Sequence, residues 1–256
     1  RVAGHDLNKE TRAIRSKISL TGQYAAVDEK LTGRENMYMI GELCGISKKE
    51  TKKRTERLLD QFELTADADK VSSAYSGGMR RKLDLAMSLI NLPEIIFLDE
   101  PTTGLDPRSR KAMWEIIDGL RNQGVTIFLT TQYLEEADQL ADKIIVIDGG
   151  TVVAEGTPDE LKSRVGDRSL LLTFATKNDA KAASKLFSPE DILSAGEGVT
   201  ISIKTDGSVT YTKRIMDILY ASKVQPIDMT FHAPTLDEVF FALTGNNDKK
   251  KDNDEN

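Results

Sequence analysis

One cysteine, two histidines, no long apolar run and no excess of basic residues bound what this chain can do. The lone Cys44 excludes an internal disulfide, and His5 and His232 are too few to build a metal site with it. Cys44 reads instead as a small buried hydrophobe. No segment approaches the roughly 18 to 20 consecutive apolar residues that a membrane-spanning helix needs, and no charged start followed by an apolar centre opens the chain. A membrane role must therefore come through another subunit. The net charge is −6, with Lys and Arg interspersed among Asp and Glu, so no basic face exists for binding a phosphate backbone. Nucleic acid is excluded as the expected partner, and cysteine usage points to the cytosol. None of the 18 glycines is followed by lysine, so the G-x-x-x-x-G-K-[ST] phosphate loop occurs nowhere. The chain begins at Arg1 rather than methionine and is expected to lack an N-terminal segment.

The composition that remains, 39% hydrophobic and 30% charged, is that of a folded soluble protein with one large core or two smaller ones. Ile18–Leu20 and Ile95–Leu98 are short apolar runs suited to strands buried on both faces. Between them lies a helical insert. Thr32-x-x-Glu35 and Ser47-x-x-Glu50 are capping boxes, Leu58, Leu59 and Phe62 form an apolar face, and Ser76 opens a third helix. After Pro107 a helix, a strand from Val125 to Thr130, a helix near Glu135 and a strand from Lys143 to Asp148 alternate, which predicts a parallel sheet with crossover helices. Gly149-Gly150 turns into a hairpin strand, and Thr157-Pro158 caps a further helix. From about residue 166 a small α+β domain begins, with strands at Leu170–Phe174, Val199–Ile203 and Ile227–Phe231. A last helix from Thr235 to Leu243 should stop at Gly245, leaving 246–256 as a disordered polar tail.

Two stretches carry chemistry. Ile95-Ile96-Phe97-Leu98 delivers Asp99 and Glu100 to the C-terminal edge of a central strand, where open α/β sheets bind ligands. Adjacent strand residues face opposite ways, so one carboxylate can hold Mg²⁺ and the other can orient or deprotonate water. Read alone, the same acids also fit as favourable charges near a helix N-terminus. Ser76-Gly77-Gly78 offers a hydroxyl and bare N–H groups at a helix start, an anion site that read alone is equally a good cap and turn.

Taken together with Pro101-Thr102-Thr103-Gly104-Leu105-Asp106, these residues resemble the nucleotide-binding subunits of ATP-binding-cassette (ABC) transporters, most closely the daunorubicin-resistance type of drug exporter ATPase. Thr21 to Asp28 is similar to that subfamily's Q-loop, Tyr75 to Arg81 to its signature, and Ala233 to Phe240 to the end of its C-terminal domain. The resemblance implies an α/β P-loop NTPase core at 1–31 and 93–165, incomplete at its N-terminus, a helical subdomain at 32–92 and an accessory α+β domain at 166–245. It implies ATP and Mg²⁺ as cofactors, a separate transmembrane permease, a second copy of the chain in a head-to-tail dimer, and a peripheral position on the cytoplasmic face of the membrane. Ser76, Gly77 and Gly78 would meet the partner's γ-phosphate, Asp99 would hold Mg²⁺, and Glu100 would be the catalytic carboxylate. Asp106 would reach across the dimer, and Gln23 would touch Mg²⁺ or the attacking water.

Two departures from the family pattern stand out. Gln132 occupies the place of the switch histidine, and an amide can donate to phosphate but cannot become a cation. The phosphate loop is absent, so the pocket left is acidic, and the chain by itself is expected to bind ATP poorly and not turn it over. An exposed sheet edge and an apolar face are expected with it. The competing readings are a soluble ABC ATPase without a transport role and a non-catalytic regulatory protein of the same fold, and the intact Asp99-Glu100 pair argues against the latter.

Overall fold

The computed structural model describes residues 1–23, 25–195 and 198–251, and the chain divides into two compact units, Arg1–Leu140 and Ala141–Asn256. Tyr24, within the expected Q-loop, lies outside the described residues.

The first unit contains α1 (Thr11–Arg15), β1 (Ile18–Thr21), α2 (Gly33–Leu43), α3 (Lys48–Gln61), α4 (Gly77–Ser88), β2 (Ile95–Asp99), α5 (Pro107–Asn122), β3 (Thr126–Thr130) and α6 (Leu134–Leu140). Thr32 and Glu35 form a full capping box at α2. At α3 only half of the expected box forms. Ser47 accepts from the Glu50 N–H, while the Glu50 carboxylate turns forward to Arg54 at 2.9 Å, because a charged i,i+4 partner competes better for it than a neutral N–H. Cys44, expected in the core, is exposed: it caps the C-terminus of α2, and Gly45 at φ 72° turns the chain away there.

β1, β2 and β3 form a parallel sheet in the order β1-β2-β3. Register decides which face each residue shares. Ile96 and Leu98, opposite Ile127 and Leu129, enter a core with Met37, Leu59, Phe62, Leu83, Ile90 and Met113. The other face carries Leu20, Phe97 and Phe128 side by side, with Leu20 70% and Phe128 54% exposed. β2 is thus buried on one face rather than the expected two, because the helices of the first unit cover only that side. Buried Asn36 joins the segment after Gln23 to α2: its amide accepts from Asp28 N–H at 2.8 Å and donates to the Asp28 and Thr32 carbonyls at 3.0 Å.

The second unit opens with a hairpin of β4 (Ile144–Asp148) and β5 (Thr151–Gly156), turned by Gly149 and Gly150 at φ 54° and 78°. Two successive positive φ values make the turn whose twist suits a hairpin. The strand at 144–148 therefore belongs to a two-stranded antiparallel sheet and not to the expected parallel one, and Ile145 and Ile147 remain 49% and 63% exposed. α7 (Pro158–Ser163) follows with the Thr157–Glu160 box in place.

Then β6 (Ser169–Thr173), α8 (Lys177–Ser184), β7 (Ile192–Ala195), β8 (Thr200–Lys204), α9 (Val209–Ala221) and β9 (Asp228–His232) give a βαββαβ unit with sheet order β7-β8-β6-β9, antiparallel throughout. That is the ferredoxin-like arrangement. Leu170, Leu172, Phe174, Ile201, Ile203, Ile215 and Leu219 form its core. α10 (Leu236–Lys251) starts at a reciprocal Thr235–Glu238 box. It passes through Gly245 to Lys251, where a tail was expected, since glycine costs a helix only about 1 kcal/mol and does not forbid it. Residues 252–256 lie outside the described residues.

Candidate functional site

The ends of β2 and β3 bring three of the expected residues together. Asp99 pairs in register with Thr130, so both side chains stand on the open face, and Thr130 Oγ1 donates to Asp99 Oδ1 at 2.5 Å. Glu100 leaves the strand with φ 47°, a left-handed conformation that costs an L-residue on the order of 1–3 kcal/mol and is characteristic of functional turns. Its N–H still bonds the Thr130 carbonyl at 3.0 Å. The Glu100 carboxylate accepts from Thr103 Oγ1 at 3.0 Å and from Gln132 Nε2 at 3.4 Å. Asp99, Glu100 and Gln132 therefore form one polar cluster at the strand edge.

Behind it, the turn is held by buried polar groups that sequence reading missed. Glu136 is fully buried on α6, and one of its oxygens accepts both from Thr102 Oγ1 and from Trp114 Nε1, each at 2.9 Å. Its acidic neighbour Glu135 made it look solvated. Arg110 of α5 stacks its guanidinium 4.3 Å from the Tyr133 ring centre, which steadies the residue after Gln132. Arg81, on α4, is 7% exposed and donates to the carbonyls of Gly22, Asp99, Glu100 and Pro101 at 2.6, 3.1, 3.2 and 2.8 Å. Burial draws its pKa down, and the carboxylates of Asp84, Asp99 and Glu136 oppose that. Arg80 and Lys82 on either side hid Arg81, and the signal was Asp84 three positions on, set among Leu83, Leu85, Ala86 and Met87.

The expected signature forms a second cluster. Ser76 caps α4, accepting from Met79 N–H at 3.2 Å, while Gly77 has open space where a side chain would stand. Gly78 has none: a Cβ there would lie 2.9 Å from Ser109 Oγ. Ser109 in turn donates to Asp106 Oδ2 at 2.5 Å, and Asp106 Oδ1 accepts the N–H groups of Arg108 and Ser109 at 3.0 Å, capping α5. Those bonds, led by Ser109, hold the Asp106 carboxyl below the usual carboxylate range. Gln23 is exposed after β1, and its carbonyl lies 3.4 Å from Arg81 Nη1.

No group of three His, Cys, Asp or Glu side chains suited to a metal occurs among the described residues. Mg²⁺ does not require one, since it keeps most of its waters and binds through one or two carboxylates plus substrate phosphates, and exposed Asp99 fits that use. No helix among the described residues is long and apolar enough to cross a membrane.

Residues 1–103 match the ABC transporter family model. Over 253 residues the chain is 46% identical to the daunorubicin/doxorubicin resistance ATP-binding protein DrrA of Streptomyces peucetius, covering 96% of this chain and 75% of that protein. It is 38% identical to the doxorubicin resistance ATP-binding protein DrrA of Mycobacterium tuberculosis, covering 95% of this chain and 75% of the other. Among solved structures, a dimeric ATP-binding cassette in a post-hydrolysis state with ADP and Pi is similar at TM-score 0.51 and 26% identity, over 60% of this chain and 68% of that one. The strand-edge carboxylates, the signature at the start of α4 and this similarity along nearly the whole chain make it a member of the ABC transporter ATP-binding protein family, of the daunorubicin/doxorubicin resistance type.

Proposed function

We propose that this chain is the ATP-hydrolysing part of an exporter that moves a drug-like or lipophilic molecule through a separate membrane permease. The observation that carries the reading is the Asp99–Glu100–Gln132 cluster at the edge of β2 and β3. Glu100 stands in position to orient and deprotonate the attacking water, with Thr103 and Gln132 fixing its carboxylate. Asp99 would hold Mg²⁺, which when bound neutralises charge developing on the transferred phosphoryl group. Gln132 would donate its amide to a γ-phosphate oxygen, and Gln23 would contact the metal or the water while its loop meets the permease.

In a head-to-tail dimer Ser76, Gly77 and Gly78 would present hydroxyl and N–H groups to the partner's γ-phosphate. The open space at Gly77 supports a close approach of ligand to backbone there. Asp106, whose carboxylate is already engaged at the α5 cap, would act across the dimer through the shape it gives its loop. The dimer and its permease would lie on the cytoplasmic face of the membrane.

The 256 residues contain no phosphate loop, and the carboxylates at the site face no lysine among their bonded neighbours. Repulsion between unit charges at about 4 Å is on the order of 4 kcal/mol at an effective dielectric of about 20, so MgATP should bind these residues weakly. Titration calorimetry of MgATP into the chain and into a version extended upstream through a phosphate loop tests this. Binding by the extended version alone supports the reading. Comparable binding by the chain itself would mean a nucleotide site that the reading does not contain.

A further inference from the structure

Arg81 lies on the second turn of the helix that Ser76, Gly77 and Gly78 begin, and its side chain is 8% exposed. Every described hydrogen bond from its guanidinium goes to a main-chain carbonyl. Nη1 donates to Gly22 at 2.6 Å and reaches Gln23 at 3.4 Å. Nη2 donates to Asp99 at 3.1 Å and Glu100 at 3.2 Å, and Nε to Pro101 at 2.8 Å. A planar five-donor fork satisfied this way ties the Gly22–Gln23 and Asp99–Pro101 segments to α4, which a lysine point charge cannot do. Asp84, nearly one turn on, completes the lock: Oδ2 lies 3.5 Å from Arg81 Nη1, and Oδ1 accepts the Ala26 N–H at 2.9 Å. A buried cation is costly unless it is paired and its donors are satisfied, and here Asp84 and the carbonyls meet both needs.

What the fork joins is functionally mixed. The start of α4 serves the partner's nucleotide, whereas Gln23 and the Asp99–Glu100 turn serve the chain's own. We propose that Arg81 is a positioning residue that couples the two ATP sites of the dimer, tying the signature helix to the Gln23 loop and the Asp99–Glu100 turn through their carbonyls. The inference rests on the head-to-tail functional reading above. A shift of α4 when its N-terminus meets the partner's γ-phosphate would be carried directly to the metal-binding and water-activating carboxylates.

The test is steady-state ATP hydrolysis by a version extended upstream through a phosphate loop, assembled with its permease, comparing wild type, Arg81→Lys, Asp84→Asn and Glu100→Gln. Arg81→Lys keeps the charge and loses the fork. It should lower kcat about tenfold with KM for ATP within about twofold, and bring the Hill coefficient from a value above about 1 to about 1, two sites allowing at most about 2. Asp84→Asn, which still accepts from Ala26, should move both readouts the same way by less. The sole tryptophan, Trp114, reports folding of the first unit, and if Arg81→Lys does not fold, Asp84→Asn carries the test. Folded variants with kcat and Hill coefficient as in wild type overturn the inference, as does a wild-type Hill coefficient of about 1. Loss of folding in both variants also overturns it, by leaving Arg81 a structural staple only. Inactive Glu100→Gln beside a silent Arg81→Lys sinks this inference alone; fully active Glu100→Gln sinks the functional reading and this inference with it.

Discussion

Gln132 Nε2 lies 3.4 Å from Glu100 Oε2, so the residue proposed for the switch position touches the carboxylate proposed to activate water. The bond is long, and a γ-phosphate oxygen accepting from the same amide would compete for it. Replacing Gln132 with Ala in a phosphate-loop-containing version should cut hydrolysis about tenfold, the scale of one hydrogen bond to a charged group. Unchanged hydrolysis would remove Gln132 from the mechanism.

Glu100→Gln keeps the shape of the turn and its bond from Thr103 while removing the base. Hydrolysis should fall roughly 10²- to 10⁴-fold, with MgATP binding retained in calorimetry. A loss smaller than about threefold would assign catalysis to another group, because a positioned base contributes far more.

Gly78→Ala puts a methyl group 2.9 Å from Ser109 Oγ and 3.2 Å from its Cβ. Overpacking of this kind costs about 1–3 kcal/mol, read as a lower urea midpoint. Adding Ser109→Gly should restore part of the loss, and strict additivity of the two changes would contradict the close contact.

Glu136→Ala strips the shared acceptor from Thr102 and Trp114. Two donors left unpaired and a cavity together cost about 2–5 kcal/mol. Trp114 emission should shift to the red in the folded state as water reaches the indole. An unmoved spectrum would indicate that Trp114 does not depend on Glu136.

Asp106 titrates below the ordinary carboxylate range when folded, owing chiefly to its bonds from Ser109. As pH falls, the unfolded chain takes up this proton first, near about pH 4, and stability is lost down to the lower folded pKa. The contribution is therefore complete above about pH 4 and disappears in acid. Asp106→Asn remains a competent cap, so its urea midpoint should match wild type near neutrality and fall less steeply in acid. Identical acid limbs would assign the depression no role in stability.

Much of this molecule was legible because it depends on neighbours in sequence. Thr32 and Glu35, Thr157 and Glu160, and Ser76 with Met79 N–H meet within a single turn, so spacing alone specified those helix starts. Gly149-Gly150 specified a hairpin for the same reason. The Asp99-Glu100 pair was readable because a short apolar strand has one C-terminal edge.

What the sequence by itself determined was the family, most of the helices and strands but not α1 or β7, and the residue types at the proposed nucleotide site. The tertiary structure alone decided that the ionisable side chains of Arg81 and Glu136 are buried. Those outcomes turn on partners tens of residues away: carbonyls of Gly22 and Glu100 for Arg81, and Thr102 and Trp114 for Glu136. A local pattern sets which hydrogen bonds a residue is able to make. Only the packed fold determines whether water or a distant backbone group supplies the other half of each bond, and hence whether a charge lies at the surface or holds the site together.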